Sequence, residues 1–502
     1  MENLYYNIGE MKMRILMLNP PFWGKFSRSS RSPGISKGGC VYYPIWMGYA
    51  TGWLEKQGHK VMLVDAPAIP ISEEESLKIS KEFDPELIVV DSVTASINND
   101  IKVVEDLRKQ HNDAFIAMVG THPSAMPVQT LKMSQADAVT LEEYDFTLAE
   151  LADLLEKKQD VSQVKGLALK VKENGTEQIR INEKRQQITG EELDQFPFVS
   201  EVYSRHLNIK DYFYPSVLYP EITIITGRGC PFKCTFCVLP QVMNGHTYRA
   251  RSPENTVAEL QWIHDNLPEV KDIMIEDDTF TVDRLRLAKI SDLITESGLK
   301  TTFTVNSRAD MDLVSLKKLK QAGCRLMCVG FESADQGVLD NIKKQTRLPK
   351  IKQFVKDSKE AGLLIHGCFM MGNSGETKET IRKTVEMAKE LDPDTAQFFP
   401  IMVYPGTAAY NWALDNGYLK TTKWDEWLLP DGTHNTIVST DKLSAEELVR
   451  ECDRARVQFY LRPKFMARKL KQIIREPADI PRTVKSSFIF AKYLAKEIKA
   501  NF

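Results

Sequence analysis

Long apolar runs are missing from this chain: no hydrophobic stretch reaches the roughly 20 residues that a membrane-spanning helix needs. A strong charge of either sign is missing too. The 66 Lys and Arg face 68 Asp and Glu, for a net of -2, which removes the long-range field that a nucleic-acid-binding protein would use. The opening stretch MENLYYNIGEMKMRILMLNPPF has no basic start leading into an apolar core and a cleavage site, so a cytoplasmic protein is expected. Eight cysteines in 502 residues make no disulfide framework. Five of them, Cys40, Cys324, Cys328, Cys368 and Cys452, are scattered and read as small buried hydrophobes. With 42% hydrophobic and 27% charged residues, the composition is that of a globular chain, and its length calls for two or three domains.

What is there is a repeated alternation of strand-like and helix-like segments. RILMLNPP, KVMLVDAP, ELIVVDSV, FIAMVGTHP and DAVTLEE are nearly continuous in apolar residues, the mark of strands buried on both faces. Helical patterns separate them, such as PIWMGYATGWLEKQG with Trp46, Tyr49, Trp53 and Leu54 on one face. Residues 12–158 therefore read as a doubly wound, Rossmann-like parallel sheet, with ligand loops beginning at Asn19, Asp65, Asp91 and Gly120. Residues 159–221 read as a linker with a β-hairpin turning at Asn174 and Gly175. From 222 to 420, six strand-helix alternations predict a partial (β/α)6 TIM-like barrel, with its chemistry at the strand C-termini. Residues 421–502 form a helical, basic extension. Within it, 461–502 hold eleven Lys and Arg against three Asp and Glu.

The densest chemical signal is TGRGCPFKCTFCVLP, where Cys230, Cys234 and Cys237 follow the first barrel strand. Structural zinc needs four protein ligands, and His246 arrives without a partner. A dithiol redox motif would use only Cys234 and Cys237. An iron-sulfur cluster held by three thiolates accounts for all three cysteines and leaves one iron open for the amino and carboxylate groups of S-adenosylmethionine.

CxxxCxxC with Phe236 before the last cysteine resembles the radical SAM superfamily. The resemblance implies that Cys230, Cys234 and Cys237 bind a 4Fe-4S cluster. It implies further that Glu276, Asp277 and Asp278 in MIEDDTF, Asn306 and Arg308 in VNSRAD, Glu332 in GFES, and Gly372 in MMGNSGET bind S-adenosylmethionine. Ser374 stands in that last loop where a proline is common in the family. A doubly wound domain ahead of such a barrel is similar to the cobalamin-dependent members, which implies that Ser92, Thr94, Gly120, Thr121 and His122 line a cobalamin site. No DxHxxG is present to supply a lower axial histidine. Val119-Gly120 and LEEY (Leu141 to Tyr144) replace the Gly-Gly pair and GEGE-like turn of relatives.

The expected activity is an oxygen-sensitive methylation of an unactivated carbon on a small or lipid-like substrate, fed by an electron donor such as flavodoxin or ferredoxin. Rival readings are cyclisation or rearrangement with the same cofactors, and a non-catalytic zinc-binding module. Tyr404, Tyr410, Trp412, Trp424 and Trp427 read either as packing or as the wall of an apolar cavity. Arg28, Arg31 and Lys37 lie on a long loop and read either as a solvated flap or as holders of an anionic group. The tail carries stripes at Met466, Leu470, Ile473 and Ile474 and at Val484, Phe488, Ala491, Ala495 and Ile498. They read as a helix covering the barrel or as a peripheral membrane contact.

Overall fold

A computed structural model of the protein describes residues 12–475 except Ser30, Lys37 and Asn174. Asn174 and the stripe at Val484 to Ile498 therefore lie outside the described residues. The chain separates into two units. The first takes residues through Gly24, Pro44–Gln187 and Phe196–Asn208; the second takes Lys25–Tyr43, Ile188–Gln195 and the chain from Ile209 onward.

In the first unit, β1 (Arg14–Asn19), β2 (Lys60–Asp65), β3 (Leu87–Asp91), β4 (Phe115–Val119) and β5 (Ala138–Thr140) form a parallel sheet in the order 2-1-3-4-5. Strands of this kind are apolar throughout because helices cover both faces, and β3 is buried along its whole length. The strand order reverses between β1 and β3, so the crevice that such sheets use for ligands opens at the loops after Asn19 and Asp91. The hairpin expected from sequence is present as β6 (Leu167–Glu173) and β7 (Thr176–Ile181), but it does not stand apart as linker. It pairs antiparallel onto β5 and extends the sheet to seven strands. A three-residue edge strand buried at every position would otherwise leave backbone donors and acceptors unpaired, and the hairpin covers them.

The second unit is built on six parallel strands that neighbour one another in chain order. They are β8 (Glu221–Ile224), β9 (Asp272–Ile275), β10 (Phe303–Ser307), β11 (Cys324–Glu332), β12 (Leu364–Met371) and β13 (Thr395–Pro400). Among the described residues β8 and β13 do not pair, so this is an open (β/α)6 arc, as the alternation predicts. Helices with side-chain caps follow the strands. Asp283, Asp312, Asp335 and Thr377 each accept a backbone N–H in the first turn of the helix they open.

The N-terminal end of the strands is locked by polar contacts. Asp272 accepts the backbone N–H of Leu218 (3.1 Å) and Arg325 Nε (3.1 Å) and lies 3.2 Å from Thr304 Oγ1. Tyr43 stacks on Tyr212 with ring centroids 3.8 Å apart and donates to the Glu221 carbonyl. At the other chain end, helix Ala445–Tyr460 packs on β13, where Tyr460 Oη donates to the Ala396 carbonyl. Helix Pro463–Arg475 follows. Arg462, Lys464 and Arg468 converge on Asp392, so the start of the basic tail docks on the barrel's outer surface. Met466 and Leu470 are 58% and 61% exposed.

Asp272 is fully buried and Arg325 nearly so. Removing the carboxylate strands a buried cation, which costs about 3 kcal/mol. Asp272→Ala is expected to lower the free energy of unfolding by that amount, as read from the midpoint and slope of a denaturation series against the unaltered protein.

Candidate active site

The cysteine loop is shaped by hydrogen bonds that need no metal. Gln241 Nε2 donates to the carbonyls of Cys234 (3.2 Å), Thr235 (3.1 Å) and Cys237 (2.8 Å). The Thr235 N–H reaches the Ile342 carbonyl (3.0 Å), and His246 Nδ1 lies 3.1 Å from the Cys230 carbonyl. Gly229, just before Cys230, has φ 83°, and a Cβ there would sit 2.2 Å from the Thr247 carbonyl oxygen, so only glycine fits. Cys230 and Cys234 are buried and Cys237 is half-buried. Burial pushes the thiols of Cys230 and Cys237 up, so bound iron is what would hold them as thiolates.

Among the described residues, no group of three or more His, Cys, Asp or Glu side chains is placed to hold one metal ion. Zinc requires four donors converging on a point, and the loop gives that reading no support. A cluster would use each of the three thiols on a separate iron.

The three acids after β9 do different work. Asp277 is fully buried; it accepts the Thr226 N–H (2.6 Å) and Thr226 Oγ1–H (2.8 Å) and ties the end of β8 to β9. Asp278 accepts the Gly229 N–H (3.0 Å) and Asn244 Nδ2–H (2.9 Å), fixing the backbone that leads into Cys230. Glu276 offers Oε1 to Arg31 Nε at 3.3 Å, while its Oε2 is buried without a hydrogen-bond partner. Glu276 is thus the one of the three acids with a buried oxygen left unsatisfied. Of the three acids that sequence cannot rank, two are committed to holding the scaffold.

Asn306 donates to the Asp277 carbonyl (3.1 Å). Arg308 donates to the Lys344 carbonyl and to Thr346 Oγ1 (3.0 Å), and its guanidinium lies 3.6 Å from the ring centroid of Phe232, inside the cysteine loop. It therefore clamps that loop. Glu332 adopts φ 63°, where the β11–β12 register shifts, and pairs with Lys344 Nζ at 2.8 Å. A non-glycine residue held at positive φ, with its carboxylate buried on a lysine, is a strained position of the kind that gathers at functional sites. Gly330 makes room for it, since a Cβ there would lie 2.3 Å from Glu332 Oε1. Lys344, in NIKKQTR, gives no sign of this in sequence.

Gly372 has φ 96° and donates its N–H to Glu376 Oε2 (2.6 Å), as does Asn373 (3.1 Å). The Ser374 carbonyl accepts Asn341 Nδ2–H at 3.0 Å.

The cobalamin candidates stand together in the first unit, at the ends of β3 and β4. Ser92 Oγ donates to Asp100 Oδ2 (2.8 Å), and Thr94 Oγ1 lies 3.1 Å from His122 Nδ1. Gly120 has φ 107°; a Cβ there would meet the Ser92 carbonyl oxygen at 2.3 Å. Thr121 and His122 open the short helix that follows. Burial pushes His122 down to about 3, so its imidazole is neutral and turned to Thr94. Ser92, Thr94 and His122 are buried and Thr121 is half-buried, with the carboxylates of Asp91 and Asp100 close behind them; small residues and hydroxyls at two adjacent strand ends are what a cobalamin site there would use.

The aromatic residues after β13 pack on one another. Trp427 is fully buried, with Tyr404 and Trp424 ring centroids at 5.9 and 5.5 Å, and Trp412 lies edge-on to Tyr418 at 5.4 Å. Arg28 is buried over the Phe26 ring, Arg31 reaches the acids after β9, and Lys37 lies outside the described residues.

Burial pushes the Glu376 carboxyl up to about 7, against the Gly372 and Asn373 N–H groups that pull it down. The folded chain then keeps a proton that the unfolded chain releases near pH 4.5, so this group's contribution to stability falls as pH rises from about 4.5 to 7. Glu376→Gln is expected to flatten the stability profile in that window, as read from unfolding midpoints at stepped pH.

Comparison with known proteins matches residues 224–388 to the Radical SAM superfamily and residues 33–152 to the B12 binding domain. The chain is 29% identical to the uncharacterized methyltransferase PH0819 of Pyrococcus horikoshii over 460 residues, covering 91% of this chain and 95% of that one. It is 25% identical to the anaerobic magnesium-protoporphyrin IX monomethyl ester cyclase of Cereibacter sphaeroides, covering 79% and 63%. Its fold is shared with the radical S-adenosylmethionine methyltransferase TsrM of Kitasatospora setae, solved with cobalamin and a [4Fe-4S] cluster bound: TM-score 0.64 at 18% identity, covering 88% and 82%. A three-cysteine loop at the mouth of a (β/α)6 arc, preceded by a 2-1-3-4-5 sheet with a B12 binding domain, makes this chain a member of the cobalamin-dependent radical SAM enzymes, which work with a 4Fe-4S cluster, S-adenosylmethionine and cobalamin.

Proposed function

We propose that the protein methylates an unactivated carbon of a small or lipid-like substrate. When bound, the cluster supplies the electron that splits S-adenosylmethionine into methionine and a 5'-deoxyadenosyl radical, and the corrinoid supplies the methyl group that ends on the substrate carbon. The protein's own part is positional. Cys230, Cys234 and Cys237 hold the cluster on a loop fixed by Gln241 and Asp278. Glu276 receives the methionine ammonium, and Arg308 clamps the loop through Phe232. Glu332 and Asn306 present polar groups on neighbouring strands toward the cosubstrate, and Gly372 lets the β12 loop approach it. The buried, partnerless Glu276 Oε2 beside the cysteine loop carries this reading.

A second outcome, oxidative cyclisation, rests on the likeness to the cyclase. The two differ in product mass: methylation adds one methylene and cyclisation removes two hydrogens. We place the protein in the cytoplasm with a flavodoxin or ferredoxin as electron donor. The exposed Met466 and Leu470 on a basic helix support peripheral contact with a membrane; no helix among the described residues is long and apolar enough to cross one.

Protein reconstituted anaerobically with iron, sulfide and cobalamin is expected to release 5'-deoxyadenosine from S-adenosylmethionine under a strong reductant. Cys234→Ala is expected to lose the cluster's visible absorption and that product while retaining cobalamin. Unaltered release of 5'-deoxyadenosine by the variant contradicts the assignment.

A further inference from the structure

The connection from β1 to the following helix is long, and its middle, Lys25–Tyr43, belongs to the second unit. This segment is pinned on both sides of Arg31. Val41 and Phe213 exchange backbone hydrogen bonds at 2.8 and 3.1 Å, the Tyr42 N–H reaches Ser27 Oγ (3.0 Å), and the Ile35 N–H reaches the Gly432 carbonyl (3.0 Å). Gly34 lies against His434, with room for no more than a strained Cβ 3.0 Å from its Nε2. Arg31 is thus presented by an anchored segment.

All three guanidinium nitrogens are used. Nε donates to Glu276 Oε1 (3.3 Å), Nη1 to Asp278 Oδ1 (3.3 Å), and Nη2 to the carbonyls of Asp277 (3.0 Å) and Glu276 (3.4 Å). Two consequences follow from which oxygens are taken. Glu276 keeps Oε2 free and buried. Asp278, held at Oδ1, turns Oδ2 to the Gly229 N–H and Asn244 Nδ2–H, directly before Cys230. Burial works against the charge on Arg31, but Glu276 and Asp278 more than offset it and hold the group above its ordinary range, with Cys237 adding to the same effect.

We propose that Arg31 is a positioning residue of the cofactor site. Its planar fork aims the free oxygen of Glu276 at the methionine ammonium group and, through Asp278, sets the backbone from which Cys230 reaches the cluster. The inference rests on the proposed function above. A guanidinium can do this because its donors are coplanar and rigid, whereas the single ammonium of lysine cannot bridge two carboxylates and two carbonyls at once. Its charge also interacts electrostatically with Cys237, so it would stabilise the reduced, more negative state of a bound cluster.

The test uses the full chain, anaerobically reconstituted as holoenzyme, unaltered and as Arg31→Gln and Arg31→Lys. Its readouts are iron and sulfide content, the dissociation constant for S-adenosylmethionine, the change that S-adenosylmethionine makes in the electron paramagnetic resonance spectrum of the reduced cluster, and the cluster's midpoint potential. Arg31→Gln is expected to bind S-adenosylmethionine about tenfold more weakly, the effect of one misdirected charge-assisted hydrogen bond, to blunt the spectral change, and to shift the midpoint to more negative potential. Arg31→Lys is expected to restore the potential but not the affinity. Affinity and potential in Arg31→Gln equal to those of the unaltered protein overturn the inference. Should Arg31→Gln not fold, full affinity in Arg31→Lys overturns it as well. An unaltered protein whose cluster spectrum ignores S-adenosylmethionine refutes the functional reading itself, a separate outcome.

Discussion

The loop that carries Cys230, Cys234 and Cys237 is held in shape by hydrogen bonds to its own backbone and to the residues that lead into it. Asp278 is the group on which this depends. It joins the end of β9 to the Gly229 N–H and Asn244, so the strand end that carries Glu276, Asp277 and Asp278 is tied to the backbone that leads into the cysteine loop. Gln241 closes the loop from within by gathering three of its carbonyls. Because these are backbone-directed hydrogen bonds in a largely buried setting, their loss would leave unpaired groups that cost more than the bonds themselves contribute.

The same economy governs the other strand ends. Gly229, Gly330 and Gly372 each stand where a side chain would strike a neighbouring oxygen or side chain, and Glu332 is held at positive φ beside its lysine. Chemistry sits at the C-terminal face and stability at the other, where Asp272, Arg325 and Thr304 tie the strand starts together. In the first unit the candidate cobalamin residues stand at the ends of β3 and β4, next to the switch point between β1 and β3. His122 there is neutral and buried, with Nδ1 3.1 Å from Thr94 Oγ1.

Both sheets were legible in the sequence because parallel strands buried on two faces leave continuous apolar runs, and the cysteine spacing is local and therefore visible. What stayed hidden depends on contacts between distant residues. Composition cannot rank Glu276, Asp277 and Asp278; only the fold shows that Thr226 consumes one, the cysteine loop another, and that the third keeps an oxygen free. Arg31 lies 245 residues from Glu276 in the chain, and its loop looked equally like a solvated flap. Nothing in NIKKQTR marks Lys344 as the buried partner of Glu332. The hairpin at 167–181 read as linker because an alternating, polar-faced pair gives no hint that it will cover the β5 edge.

The central claim is that the cluster has one iron without a protein ligand, open to S-adenosylmethionine. Mössbauer spectroscopy of protein reconstituted with iron-57 tests this most directly. The account predicts that S-adenosylmethionine changes the isomer shift of a single iron and leaves the others unmoved. Irons that are equivalent before and after its addition would contradict it.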